Sequence, residues 1–361
     1  MRSPYSSLAP RAFWRNGVAG KNPSSVVDLY QPKFPISQDL KIATAGSCFA
    51  QHIARHLRLR DYNVLDLEPP SAAIPDSVAK RFGYRMFSAR FGNIYAVQQL
   101  LQIAEETIGN TPLPESLVVW EAEGRYFDAM RPSVEPEGLD SAAEVMAHRQ
   151  QHLHYVDRLF RLADIFVFTL GLTETWRDRE SGTAWPTAPG TIAGSYDPDR
   201  HEFHNAGFAE ILGQFEAFRT LIRRVNPEIK FLLTVSPVPL TATASDNHVL
   251  VATTYSKSVL RAVAGELAAT HDDIDYFPSY ELVASPLARA ELYEPNLRTV
   301  RMDGVDMVMR QFFAAHGVET LDTDAAGPAD SDADTAAYPE IDADEEALCD
   351  DVLLEQFAPG S

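Results

Sequence analysis

The stretch Lys41–Leu57, KIATAGSCFAQHIARHL, holds a strand, a turn and a helix in one short run. Lys41–Ala45 is short and apolar, the pattern of a buried strand. Gly46-Ser47 follows as a turn. Phe49, Ile53 and Leu57 then recur every four residues with Ala50 and Ala54 beside them, which is the apolar stripe of an amphipathic helix. Tyr62–Leu67 (YNVLDL) reads as a second strand. A strand–turn–helix–strand unit of this kind opens a parallel sheet.

Working outward, three more apolar runs have the length of buried strands: Ile165–Leu170 (IFVFTL), Phe231–Val235 (FLLTV) and Ile274–Phe277 (IDYF). Helical patterns lie between them. Phe208, Ile211, Leu212, Phe215, Phe218, Leu221, Ile222 and Val225 form one helix face ending before Pro227, and further patterns cover Tyr255–Ala269 and Val305–Ala315. The alternation predicts an α/β fold of three layers, flavodoxin-like, with a parallel sheet of about five strands and helices on both faces. Residues 68–148 are too many for one crossover and read as an insertion over the C-terminal edge of the sheet. They hold a helix near Val97–Ile108 and the Pro- and Gly-containing stretch Gly109–Gly138; a further helix near Arg149–Ala163 leads into the third strand. Residues 1–36, with five prolines, read as an irregular arm over a domain at 37–321.

Net charge is −20, but residues 322–361 carry 13 of the acidic groups and no Lys or Arg, leaving about −7 for the rest. That tail predicts disorder. Its end, Ala347–Phe357 (ALCDDVLLEQF), fits a short amphipathic helix, read either as part of a solvated tail or as a docking peptide, with the composition favouring the first. The body has no basic stripe, so nucleic acid is not an expected partner. Neither a signal-peptide hydrophobic region nor an 18-residue apolar run is present, and the expectation is a cytoplasmic protein without a membrane span. Cys48 and Cys349 are far apart and make no metal-ligand pattern; no phosphate loop follows the first strand. No cofactor or metal is expected, and the oligomeric state is not readable.

Ser47 carries the chemistry that the unit above suggests. A side chain at the first turn after a parallel strand projects from the ligand-binding edge of the sheet. It also sits at a helix N-terminus, where free N–H groups and the dipole stabilise an anion. Two readings are open: a nucleophile with half an oxyanion hole built in, or a helix N-cap. Cys48 beside it reads as a buried structural thiol. His52 and His56, further along the helix, read as surface or packing residues.

Residues 46–50 spell GSCFA, and Ala45–Leu57 resembles the opening block of the GSCFA family, which is grouped with the SGNH/GDSL esterases and acyltransferases. Phe91–Tyr95 (FGNIY), Phe168–Trp176 (FTLGLTETW), Leu233–Pro237 (LTVSP) and Tyr276–Glu281 (YFPSYE) resemble further blocks in order, so the likeness spans roughly residues 40–315. It implies an SGNH-type sheet and serine-dependent acyl transfer or ester hydrolysis on a small-molecule or glycan acyl ester, with Ser47 as nucleophile. Gly92 fits the second oxyanion position, against a plain turn glycine. Thr173 and Glu174 replace the Asn of the third block; Glu174 reads as the acid orienting a histidine, or as a helix-start carboxylate. The Asp-x-x-His of such enzymes is missing, Asn296 and Thr299 standing in its place. His248 is therefore the first candidate base and His204 the second. Asn93, Trp176 and His204 are candidate substrate contacts, Trp185 and Tyr196 candidate stacking platforms, and Lys257 resembles a family block while reading locally as an exposed helix lysine. The alternative is a member of the fold that binds glycan or protein without catalysis.

Overall fold

A computed structural model describes residues 3–21, 26, 28–318 and 350–358. In chain order the elements are β1 (Ile42–Gly46), α1 (Phe49–Leu59), α2 (Asp76–Arg81), α3 (Val97–Thr107), α4 (Glu115–Val118), β2 (Val119–Ala122), β3 (Arg125–Asp128), α5 (Ala142–Leu162), β4 (Ile165–Leu170), β5 (Glu174–Asp178), β6 (Ala184–Trp185), β7 (His201–Asn205), α6 (Phe208–Val225), β8 (Lys230–Val235), α7 (Val249–Thr270), β9 (Ile274–Tyr276), α8 (Ser279–Ala284) and α9 (Met302–Ala315). Asp350–Phe357 forms a 3₁₀ helix.

The central sheet is parallel and has four strands in the order β1-β4-β8-β9. Alternate side chains of each strand face opposite layers. Ala43, Ala45, Phe166, Phe168, Phe231 and Leu233 pack with α3, α5, α6 and α7. Ile42, Ile165, Val167 and Leu232 pack with α1, α8, α9 and with Tyr30, Phe34 and Ile36 of the N-terminal arm. Both faces are thus covered, which is why the strands read as continuous apolar runs rather than alternating ones.

The fifth strand expected at Tyr62–Leu67 is not a strand. Val64 makes a single parallel bridge to Ile42. Beyond it the free edge of β1 passes to the insertion: Ser88 N–H donates to the Thr44 carbonyl at 3.2 Å, and Ile94 N–H to the Gly46 carbonyl at 2.9 Å. Two separate segments share the work of one edge strand. The insertion also carries the β2–β3 hairpin, and β5, flanked by β6 and β7, forms a second, antiparallel sheet just after β4. No helix among the described residues is long and apolar enough to cross a membrane. The disorder expected over 322–361 falls on residues outside those described up to 349, as does Cys349; the last turns, Asp350–Phe357, lie against the body.

Candidate active site

The turn after β1 is shaped by Gly46, whose φ of +135° belongs to the region that favours glycine. A Cβ there would stand 2.6 Å from the Thr169 carbonyl oxygen, so β1 and β4 close at this point only because it is absent. Ser47 comes next. Its N–H donates to Thr169 O at 3.2 Å, and its own carbonyl accepts from Ala50 N–H at 2.8 Å. Cys48, not Ser47, holds the N-cap position of α1, and no side chain caps that helix. The Ser47 hydroxyl is buried, Ser47 being 2% exposed, and Oγ has no hydrogen-bond partner among the described residues. A buried hydroxyl that caps nothing and bonds nothing has a cost without a structural return. The N-cap reading of Ser47 is excluded. So is the use of its own N–H for an oxyanion, since that group is committed to Thr169.

Ser47 packs on the end of β4. A Cβ added to Gly171 would lie 3.0 Å from Ser47 Cβ and 3.0 Å from Tyr95 O. The N–H groups of Gly171 and Leu172 both donate to Tyr95 O, at 3.1 and 2.9 Å. The loop Gly92–Tyr95 therefore ties the ends of β1 and β4 together around Ser47. Gly92 has a φ of +65°, and its N–H donates to no acceptor among the described residues. The same holds for Cys48 N–H at the start of α1. Asn93 is buried; its Oδ1 accepts from Gln51 Nε2 at 3.3 Å and its Nδ2 donates to Asp350 Oδ2 at 3.3 Å.

A buried ionic network holds that loop from behind. Arg90 N–H donates to Glu68 Oε2 at 2.8 Å, and Arg131 Nη1 donates to Arg90 O at 3.0 Å. Glu68 also meets His152 Nδ1 at 2.7 Å. Arg131 bonds Asp128, and Arg149 links Asp128 to Glu106. Burial first, and then Arg131, pushes the His152 imidazole down to about 4. Burial alone would raise Glu68, but His152 and Arg131 hold it down to about 2. His56, packed on α1 beside Asp306, is pushed down to about 4 by burial, with Arg55 and Arg60 adding to it.

These shifts set an acid limit. His152 and His56 are neutral in the native state at pH 7, while an unfolded imidazole takes a proton near its ordinary 6.5. Below about pH 6.5 the unfolded chain binds protons that the native chain refuses, so stability falls with acidification. By linkage each imidazole contributes a loss of about 2 kcal/mol by pH 5. Glu68 adds its own loss only below its ordinary 4.5. Thermal unfolding at pH 7 and pH 5 is expected to show a lower Tm at pH 5; equal values contradict the account.

The third block divides its residues. Thr173 is buried, but its Oγ1 donates to Asn205 Oδ1 at 2.7 Å and its N–H to Ser256 Oγ at 3.0 Å. Its hydroxyl is occupied with joining β4 to β7. Glu174 heads β5, half-buried, and accepts from Thr243 Oγ1 at 2.8 Å; burial raises its carboxyl and that hydrogen bond lowers it, for a net rise. Among the described residues no histidine is bonded to it. His248 is exposed and its Nδ1 accepts from Leu250 N–H at 3.2 Å, capping α7. His204 pairs with Glu210 at 2.8 Å. Neither His248 nor His204 is hydrogen-bonded to Ser47; a polar side chain two residues before an unbonded helix N–H is available for capping, and His248 takes that role. Asn296 and Thr299 bond each other at 3.0 Å in an exposed turn. Trp176 stacks edge-on against Tyr196 at 5.3 Å, and Trp185 is buried with Nε1 on the Leu117 carbonyl. Trp185 is core, not a platform.

Lys257 is the residue that local reading missed. It is 1% exposed and its Nζ donates to the Gly171 carbonyl at 2.7 Å. A signal was present: Lys257, Leu260, Ala264 and Leu267 recur at helical spacing along the buried stripe of α7. His152, Glu68 and Arg149 carry no local signal, because their partners lie 21 to 84 residues away in sequence.

A model of the GSCFA family matches residues 41–312. No curated protein matches the chain in sequence. Among solved structures, a carbohydrate esterase family 3 protein from Talaromyces cellulolyticus aligns at 10% identity over 76% of this chain and 94% of its own, with a TM-score of 0.34. A salicylyl-acyltransferase from a tetracycline biosynthetic pathway aligns at 18% identity over 45% of this chain and 41% of its own, with a TM-score of 0.26.

Proposed function

Because this chain belongs to the GSCFA family, we propose that it is a serine-dependent enzyme of ester hydrolysis or acyl transfer, acting through Ser47 on an acyl ester of a small molecule or glycan. The observation that carries this reading is the Ser47 hydroxyl, buried without a hydrogen-bond partner among the described residues where the ends of β1 and β4 meet. Ser47 Oγ adds to the acyl carbonyl. The N–H groups of Gly92 and Cys48 receive the charge that develops on the carbonyl oxygen, Cys48 with the dipole of α1 behind it. Collapse of that species expels the alcohol, and water or a second hydroxyl then takes the acyl group.

With no imidazole hydrogen-bonded to Ser47 among the described residues, Lys257 is the proton carrier of this proposal. Burial favours the neutral amine of a lysine, and a neutral amine accepts the proton of a serine hydroxyl and returns it to the leaving alkoxide. Its bond to the Gly171 carbonyl places it on the residue against which Ser47 packs. Hydrolysis of p-nitrophenyl esters and of an O-acetylated polysaccharide across pH 6–9 tests the assignment. Lys257→Met is expected to lower kcat/KM about a hundredfold, in the range general-base groups contribute, while His248→Ala stays within about twofold. The reverse ranking returns the role to His248.

A second reading, a non-catalytic glycan- or protein-binding member of the family, rests on the absence of a histidine hydrogen-bonded to Ser47 among the described residues and on the covered hydroxyl. Tight glycan or protein binding with every ester untouched, in wild type and in variants that open the site, identifies it.

A further inference from the structure

The C-terminal 3₁₀ helix Asp350–Phe357 docks on Asn93 of the Gly92–Tyr95 loop, and it does so by a carboxylate. Asp350 is 2% exposed, an unusual state for one aspartate of a strongly acidic tail, because a buried carboxylate is costly unless it is met by donors. Its Oδ2 accepts from Asn93 Nδ2 at 3.3 Å. Gln51 Nε2, reaching Asn93 Oδ1 from α1, leaves the amide end of Asn93 facing Asp350. Asn93 lies between Gly92, with its unbonded N–H, and Ile94, whose N–H bonds the Gly46 carbonyl next to Ser47. At the far end Gln356 Nε2 reaches the Thr191 carbonyl at 3.5 Å, in the Gly- and Pro-rich loop before β7. A 3₁₀ helix of this length spans about 16 Å, so the segment runs from the Gly92–Tyr95 loop to the loop before β7.

The docking is ligand-like rather than core-like. Leu353 is 40% and Phe357 62% exposed, and Val352 and Leu354 are only half-buried, so no large apolar group of the segment is buried as fully as Asp350. What is fully buried is the carboxylate. A contact led by one charged group is one that another carboxylate can replace.

We propose that Asn93 marks a carboxylate-binding subsite of the Ser47 site, and that the chain's own Asp350 occupies it, so that Asp350–Phe357 is a plug that must leave before an ester reaches Ser47. The gating half of this rests on the Ser47 reading; the occupancy half does not. The carboxylate that competes with Asp350 is the acid released by ester cleavage, which makes the segment a product mimic held in cis.

The test uses the full-length chain as wild type, Asp350→Ala and Asp350→Asn, with two readouts. Amide hydrogen exchange over residues 93–95 and 352–357 reports docking. The rate of modification by a fluorophosphonate reports access to Ser47. In both variants the protected amides of 352–357 are expected to exchange at least tenfold faster, and modification to accelerate at least tenfold, the effect of losing a buried charge-assisted hydrogen bond. Sodium acetate at tens of millimolar is expected to slow modification of Asp350→Ala more than that of wild type. Unchanged exchange in both variants overturns the occupancy. Faster exchange with slower modification overturns the gating and makes Asp350 part of the catalytic machinery. Faster exchange with no modification in any form leaves the occupancy standing and removes the Ser47 reading instead.

Discussion

Ser47→Ala is expected to lower ester turnover by at least about a thousandfold, the scale on which removal of a nucleophile acts when oxyanion and binding contributions remain. Folding is expected to survive. The hydroxyl makes no hydrogen bond in the native state, so its removal deletes a buried, unsatisfied polar atom and leaves only a small void against Gly171. A side chain that merely filled space or capped α1 would show the opposite pattern, a loss of stability with turnover intact. The steady-state rate on an activated ester, beside a urea unfolding midpoint on the same preparations, separates the two. Equal kcat/KM in wild type and Ser47→Ala contradicts the assignment.

Arg149→Met is expected to destabilise the fold by about 3–5 kcal/mol, the cost of leaving buried charges without their partner. The Arg149 side chain is 4% exposed between Glu106 at 3% and Asp128 at 8%, bonding both carboxylates. Burial already raises the Glu106 carboxyl despite Arg149. Without the guanidinium, Glu106 takes up a proton, and its acid form is the group the chain then buries. The loss passes to the Gly92–Tyr95 loop as well. Asp128 also holds Arg131, and Arg131 holds the carbonyl of Arg90, two residues before Gly92. Turnover is therefore expected to fall more steeply with temperature in Arg149→Met than in wild type. An unfolding midpoint shifted by less than 1 kcal/mol in stability removes the network from the account.

Much of the fold was legible because the strands of this sheet are buried on both faces. The apolar run Ile165–Leu170 coincides with β4 residue for residue, and the pattern of Phe208–Val225 with α6. Tyr62–Leu67 failed for a reason outside its own residues. Its composition suits a strand, but the edge of β1 it should have lined is taken over at Thr44 by Ser88 from the insertion. The place of Ser47 at the turn was legible because a serine between a strand and a helix start has few places to go, and the absence of any bond to Oγ among the described residues removes the cap reading.

The rest of the site depends on long-range pairings that local pattern does not encode. His248 suited a base by its loop, yet the nearest unmet need was the N-terminus of α7, and it caps that helix. Lys257 reads as exposed when only its charge is weighed and as buried when its position on the α7 stripe is weighed; the second consideration wins because Gly171 O supplies the acceptor that makes burial tolerable. Asp350 lies 257 residues from Asn93, and nothing in a run of acidic residues says which one will be buried.

The account turns on a single bond-forming atom. Incubation of wild type and Asp350→Ala with a fluorophosphonate, followed by proteolysis and mass mapping, is expected to place the adduct on Ser47 in the segment Ile42–Arg55, with no adduct in Ser47→Ala. An adduct on another residue, or none in the variant whose site is open, contradicts it.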